Sequence, residues 1–211
     1  MRTYFILLLI FPFYCFSQFR IPKGFSEFRE GSDIGQRIKR ITVDFDKDRK
    51  DDAFSIVYQS GNDFYVAKKK YLLIYLSSKN KHYYIDFDIF NGVYVMPLQY
   101  QNDVLTFLVT EEGTGVRGHA LKLRFNPKVK NIQLIGYNYS YRIPIGHCNK
   151  TYNLLTGDYT IINDFYNMKT EKTEYETFKG NKKLSKSIFI NDFSSDLFDN
   201  LSSVGRKYER D

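Results

Sequence analysis

Between residues 82 and 137, apolar and polar side chains alternate in short runs, and each run ends in a turn signal. Residues 82–88 alternate, and Asn91-Gly92 breaks the run. Residues 104–110 and 120–125 alternate again, and Asn126-Pro127 turns the chain before residues 132–137. A period of two sets one side of each run on a core and the other in water, the pattern of antiparallel strands. Asn-Gly and Asn-Pro suit the reversals between such strands. The same pattern extends both ways. Residues 53–58 and 71–76 read as strands on either side of Gly61-Asn62-Asp63, and residues 152–155 and 159–162 flank Thr156-Gly157-Asp158. Residues 172–178 and 188–190 follow. Residues 19–36 read as an extended lead-in with a short helical turn at 25–28, and residues 139–150 as less regular. Leu197, Phe198, Leu201, Val204 and Tyr208 then recur at helical spacing behind Ser194 or Ser195, either of which can cap a helix. The expected fold is mainly β: an antiparallel meander in one or more sheets, incomplete propeller-like or sandwich, with a short C-terminal helix.

The first residues differ from the rest. Arg2 opens an apolar stretch from Phe5 to Phe16, and Cys15 and Ser17 are small residues at third-last and last place. This is the form of a secretory signal, expected over residues 1–17 and cut before Gln18. It is too short, and too interrupted by Pro12, to suit a membrane-spanning helix. The remainder, residues 18–211, is expected to form a single β-rich domain, exported to the periplasm or beyond, with no membrane span after cleavage. Loss of Cys15 leaves Cys148 alone, so no internal disulfide is expected, which suits a bacterial envelope better than a small animal secreted domain. The 18 Tyr and 19 Phe favour strands. The formal net charge is +7. Its basic residues are scattered, which reads as solubility charge, with attraction to an anionic polymer or acidic partner as the alternative, and no nucleic-acid partner is expected.

One stretch carries a specific chemical signal. Asp44, Asp46, Asp48, Lys50 and Asp52 fall at alternate positions, D-x-D-x-D-x-K-x-D. Calcium takes six to eight oxygens, and loops of this kind offer positions 1, 3, 5 and 9 as side chains and position 7 as a backbone carbonyl, here that of Lys50. Those five residues are the expected metal ligands, and structural Ca²⁺ the expected cofactor. An EF-hand is excluded: Arg49 holds the glycine position, Ser55 the bidentate glutamate position, and strands flank the loop. A solvated acidic turn without metal is the plain alternative. The loop resembles the calcium loop of FG-GAP or VCBS-type repeats, D-x-D-x-D-G-x-x-D. A wider resemblance runs through Ile21-Pro22-Lys23-Gly24, Leu72-Leu73-Ile74-Tyr75, Phe125 with Leu134-Ile135-Gly136-Tyr137, and Asn153-Leu154-Leu155-Thr156-Gly157. It is to exported bacterial envelope proteins with a single such loop, and it implies fold and location more than activity. Arg49 departs from the pattern where a left-handed backbone disfavours any side chain but glycine by roughly 1 kcal/mol.

Other chemistry is sparser. His82, His119 and His147 match no zinc spacing. His147 and Cys148 are neighbours, so on a strand they face opposite ways and the thiol reads as a small core group. Asp86 and Asp88 alternate on one expected strand face, as the wet side of a strand or as an acid pair. Tyr137, Tyr139 and Tyr141 alternate onto one face, with Arg142 adjacent, and aromatic rows of this kind either build a core or bind sugars and protein partners. The expected function is therefore a non-catalytic exported protein that binds a protein or glycan of the cell envelope. A periplasmic immunity or inhibitor protein is a further reading, and a hydrolase using Asp86, Asp88 or His147 another.

Overall fold

The computed structural model describes residues 19–29, 37–113 and 117–209. The expected signal segment, residues 1–17, lies outside them. The chain is mainly β, in two open antiparallel sheets. The first holds β1 (Phe25–Glu27), β2 (Ile41–Val43), β3 (Asp52–Gln59), β4 (Lys70–Leu76) and β5 (Lys81–Asp86), in the order β1-β3-β4-β5. β2 lies end to end with β1 along the same edge of β3, pairing Val43 with Asp52 where β1 pairs Phe25 with Gln59.

The second sheet is the meander that the alternation implies. β8 (Val104–Thr110), β9 (Arg117–Asn126), β10 (Asn131–Ile143), β11 (Gly146–Asn153), β12 (Asp158–Asn167) and β13 (Lys172–Asn181) pair each with the next. Short strands β6 (Tyr94–Val95) and β7 (Gln99–Gln101) both pair with β8, and β14 (Ile188–Phe189) pairs with β10. One helix, α1 (Ser195–Ser202), follows near the C-terminus. Ser194 is its cap, accepting a hydrogen bond from the Leu197 N–H at 3.2 Å.

Both sheets bury one core. Phe54, Ile56, Leu72 and Ile74 from the first join Phe107, Leu121, Leu123 and Leu134 from the second in a single apolar cluster. Each such side chain stabilises the fold by about 1.5–3 kcal/mol on burial. Phe45, in the acidic loop, reaches into this core. Its ring meets Phe54 edge-on at 5.0 Å, Tyr100 at 6.2 Å and Phe125 at 6.4 Å, so it touches both sheets.

Several boundaries differ from the sequence expectation, each for a local reason. The helical turn expected at 25–28 is strand β1, whose Phe25 ring packs edge-on against Tyr71 at 5.6 Å. The strand expected over 82–88 stops at Asp86. That carboxylate accepts the Asp88 N–H at 3.0 Å and starts a 3-10 turn, Phe87–Phe90, which Asn91 ends in the left-handed region. Asp86 and Asp88 therefore do not share a strand face. Residues 139–150 are not irregular, because β10 and β11 pair continuously from Gly136↔Asn153 to Ile143↔Gly146. Their reversal needs Gly146, where a Cβ would lie 1.8 Å from the Asp164 carbonyl oxygen. The helical spacing out to Tyr208 is broken at Gly205, whose φ is +74°.

Phe45→Ala is expected to destabilise the fold by about 3–5 kcal/mol, the usual range for a buried aromatic truncated to Ala. A urea midpoint unchanged from the parent protein would show that the loop does not brace the two sheets.

Candidate functional site

The acidic loop is folded by its own carboxylates. Asp44 accepts the Arg49 N–H at 3.0 Å, Asp46 the Asp48 N–H at 3.2 Å, and Asp48 the Lys50 N–H at 2.9 Å. Lys47 and Arg49 take left-handed φ values of 66° and 69°, so the chain adopts at Arg49 the conformation for which glycine is usual. Oxygens of Asp44, Asp46 and Asp48 lie within 4.8 Å of one another and could hold a metal ion. Asp44 Oδ1 is buried and finds no hydrogen-bond partner among the described residues. The Lys47 ammonium lies 2.7 Å from Asp103 on the β7–β8 turn and also feels the Asp44 carboxylate.

Asp52 does different work. It is fully buried, and its carboxylate accepts three backbone N–H groups: Phe45 at 3.0 Å, Asp46 at 3.2 Å and Ser77 at 2.8 Å. Burial pushes its pKa up despite these bonds. One of its oxygens thus closes the loop and the other ties it to the turn after β4, while Asp44, Asp46 and Asp48 are the expected ligand side chains that converge among the described residues. Lys50 sits at an exposed loop position, its N–H bonded to Asp48.

The tyrosines of β10 form a ladder on one face, as alternation requires. Tyr137 and Tyr139 stack at 6.5 Å, and Tyr139 and Tyr141 lie 5.6 Å apart. Tyr137 is buried under α1, its ring 5.5 Å from that of Phe198. Tyr139 and Tyr141 emerge and line a cleft of about 360 Å³. The cleft also takes Glu111 and Arg117 from the two ends of the β8–β9 connection, His119 from β9, Phe90 from the 3-10 turn, and Asp199 and Arg206 from the C-terminal region. Arg142 is not part of it, because that residue pairs with His147 on the opposite face. The cations of the cleft, Arg117 and Arg206, carry no sequence signal. They stand 89 positions apart in the numbering and line the same cleft.

His119 is only 8% exposed. Its Nδ1 shares a hydrogen bond of 2.8 Å with the Tyr137 hydroxyl. Its Nε2 has no hydrogen-bond partner among the described residues and lies 3.9 Å from Glu111 Oε1. Burial, with Arg117 nearby, drives the His119 pKa down to about 4, so the ring is neutral at pH 7. Burial raises the pKa of Glu111, and Arg117 opposes that rise.

Below the ladder, Lys150 is wholly buried and held by the Ser202 carbonyl and the Glu209 carboxylate. Glu209 also accepts from the Tyr141 hydroxyl at 3.0 Å. Cys148 is buried beside them, and its thiol is pushed up by burial, so it stays protonated. His147, on the opposite face, is exposed and paired with Asp164. His82 lies in the other sheet, 5.0 Å from the Tyr75 ring. The three histidines therefore sit on three separate strands. No helix among the described residues is long and apolar enough to cross a membrane.

Comparison with protein-family models, with curated proteins and with solved structures finds no match for this chain.

The depressed His119 pKa ties stability to pH. The unfolded ring binds a proton near pH 6.5, whereas the folded ring resists it down to about 4. The contribution is therefore complete above pH 6.5 and is lost as pH falls from there to about 4, by on the order of 3 kcal/mol. Urea midpoints measured at pH 7 and pH 4 are expected to differ less in His119→Gln than in the parent protein. Equal pH dependence in the two would contradict a buried neutral ring.

Proposed function

We propose that the chain is an exported, non-catalytic binding protein of the bacterial envelope, in which the acidic loop is a weak structural calcium site and the tyrosine cleft is the recognition surface. The observation that carries the binding reading is the cleft itself. It is preformed, partly aromatic, and lined by opposed charges that converge from three parts of the chain. The residues that a hydrolase reading needs have other duties. Asp86 caps a turn, Asp88 lies inside that turn and off the strand face, and His147 stands on the opposite strand face from the cleft.

The calcium reading is supported by the convergence of Asp44, Asp46 and Asp48 and by the unpartnered buried oxygen of Asp44. A cation there would relieve both carboxylate repulsion and the cost of an unsatisfied buried acceptor, about 1–3 kcal/mol. Lys47 is bonded to Asp103, which partly offsets its positive charge. The backbone carbonyl of Lys50 would complete the set at position 7. Asp52 acts as the brace of this loop. The likeness to FG-GAP and VCBS-type loops belongs to the same proposal and rests on the D-x-D-x-D spacing.

At 1 mM Ca²⁺ and a Kd near ~10⁻⁴ M, binding is expected to add about 1.4 kcal/mol of stability. Calorimetry should register the heat, a thermal melt should rise by a few degrees, and Asp46→Asn should abolish both. Absence of heat and of any rise in the parent protein would leave an ordinary acidic turn.

The binding reading has its own measurement. The immobilised protein is expected to retain one specific component of an envelope extract, whether protein or glycan. Recovery of nothing beyond what a bare matrix retains would remove the support for it.

A further inference from the structure

The chemistry of the cleft restricts what can occupy it. Its volume, about 360 Å³, is at the small end for ligand pockets. A compact ligand of sugar size fits.

The charges are balanced. Arg117 lies 3.9 Å from Glu111, Arg206 and Asp199 add one charge of each sign, and Glu209 in the lining is neutralised by the buried Lys150. A pocket for phosphate or a polyanion concentrates positive charge, and this one does not. It offers both kinds of hydrogen-bonding group instead. Carboxylates only accept, guanidinium groups only donate, and a neutral imidazole does one at each nitrogen. The ligand that satisfies all three carries groups able to donate and accept at once, which is the property of a hydroxyl. Several hydroxyls on a small frame describe a neutral sugar.

Two further features agree. His119 Nε2 is buried at the cleft wall without a partner among the described residues, and a hydroxyl placed beside it and Glu111 would satisfy both. Ser202 and Ser203 already donate to backbone carbonyls of their own helix, at 2.9 and 2.8 Å, and so face the cleft as acceptors. The partly exposed ring of Tyr139, which meets His119 at 5.2 Å and has the Lys150 ammonium 5.9 Å from its centroid, supplies an aromatic surface among these polar groups. The C–H face of a pyranose packs on such a ring while its hydroxyls bond around the edge, using an aromatic side chain for its flat apolar body.

We propose that this cleft binds a neutral sugar unit of an envelope glycan, stacked on Tyr139 and hydrogen-bonded by Glu111, Arg117, His119 and Arg206. This rests on the reading of the chain as a binding protein and narrows it to one ligand class at one site. A short peptide segment is the competing occupant. It would use backbone amides against the same groups and would have no need of the Tyr139 ring.

The purified protein is applied to an array of neutral and acidic oligosaccharides, and the best ligand is then titrated by calorimetry. Retention of at least one neutral oligosaccharide is expected. Its affinity is expected to fall at least tenfold in Tyr139→Ala, in Glu111→Gln and in Arg206→Met, and to stay unchanged in Tyr175→Ala, at an exposed position on β13. Glu111→Gln and Arg206→Met alter the rim and not the core, so they keep the test decisive should Tyr139→Ala fail to fold. Binding of acidic glycans only, of no glycan, or of a neutral glycan with equal affinity in the rim variants overturns the proposal. The binding-protein reading fails separately. If the protein captures an envelope component equally well in the parent form and in both rim variants, that reading stands and the sugar site falls.

Discussion

The buried carboxylate of Asp52 sets the geometry on which one end of the fold depends. A carboxylate with no exposure is costly to hold, and burial raises its pKa accordingly. Three backbone N–H groups offset that cost, and they come from two places. Phe45 and Asp46 belong to the acidic loop, and Ser77 to the turn between β4 and β5. One side chain at the start of β3 thus fixes both the loop before it and the turn beyond the next strand. Phe45 is held by that arrangement with its backbone on Asp52 and its ring between Phe54, Tyr100 and Phe125. The loop joins the two sheets through a hydrogen bond on one side and a ring on the other. A metal ion at Asp44, Asp46 and Asp48 would tighten a structure that Asp52 has already closed.

A second buried charge organises the other end. Lys150 carries an ammonium into the interior of the strand face, where it survives only if paired. Its partners, Glu209 and the Ser202 carbonyl, both belong to the C-terminal region. The Tyr208 ring stacks on Phe178 at 4.9 Å, and the Tyr208 carbonyl accepts from Asn163 at 2.9 Å. The segment after α1 is therefore laid across β11, β12 and β13 by an ion pair, a ring stack and a hydrogen bond. Val204 adds a buried apolar contact, and the matched polar groups fix where the segment lies.

The strands of the meander were legible because period-two alternation and turn chemistry both act locally. Residues 104–110, 120–125 and 172–178 each fall within a strand of the structure. The helix was legible from its spacing and from Ser194. What stayed hidden depends on distant residues. Nothing in the sequence near Asp86 separates a strand residue from a cap, because the choice follows from where Phe87 finds the core. The run 139–150 hides its strand behind Pro144 and Gly146, which read as breakers but form the reversal between β10 and β11. The acidic loop could be found by spacing, yet spacing assigned Asp52 the same duty as Asp44. Only the neighbouring N–H groups, one of them 25 residues away, show that the Asp52 carboxylate is bonded to the backbone on both of its oxygens. The tyrosine ladder was legible as a face, and its charged surroundings were not, since Arg117 and Arg206 come from distant parts of the chain.

The position of the cleft follows from a mismatch of length. β10 runs for thirteen residues and presents three tyrosines in a row, whereas α1 has only eight residues. The helix covers the first ring, placing Phe198 against Tyr137 and Phe90. It ends before the second and third, and Gly205 turns the chain toward Lys150. Between the apolar contact at Phe198 and the polar contact at Glu209, Tyr139 and Tyr141 stay partly exposed and line the cleft. A longer helix would have buried the ladder as core, and a shorter arm would have left Lys150 unpaired. The two anchors, one apolar and one ionic, hold the walls of the cleft apart at a fixed spacing, so the site is preorganised by the same contacts that fasten the C-terminus.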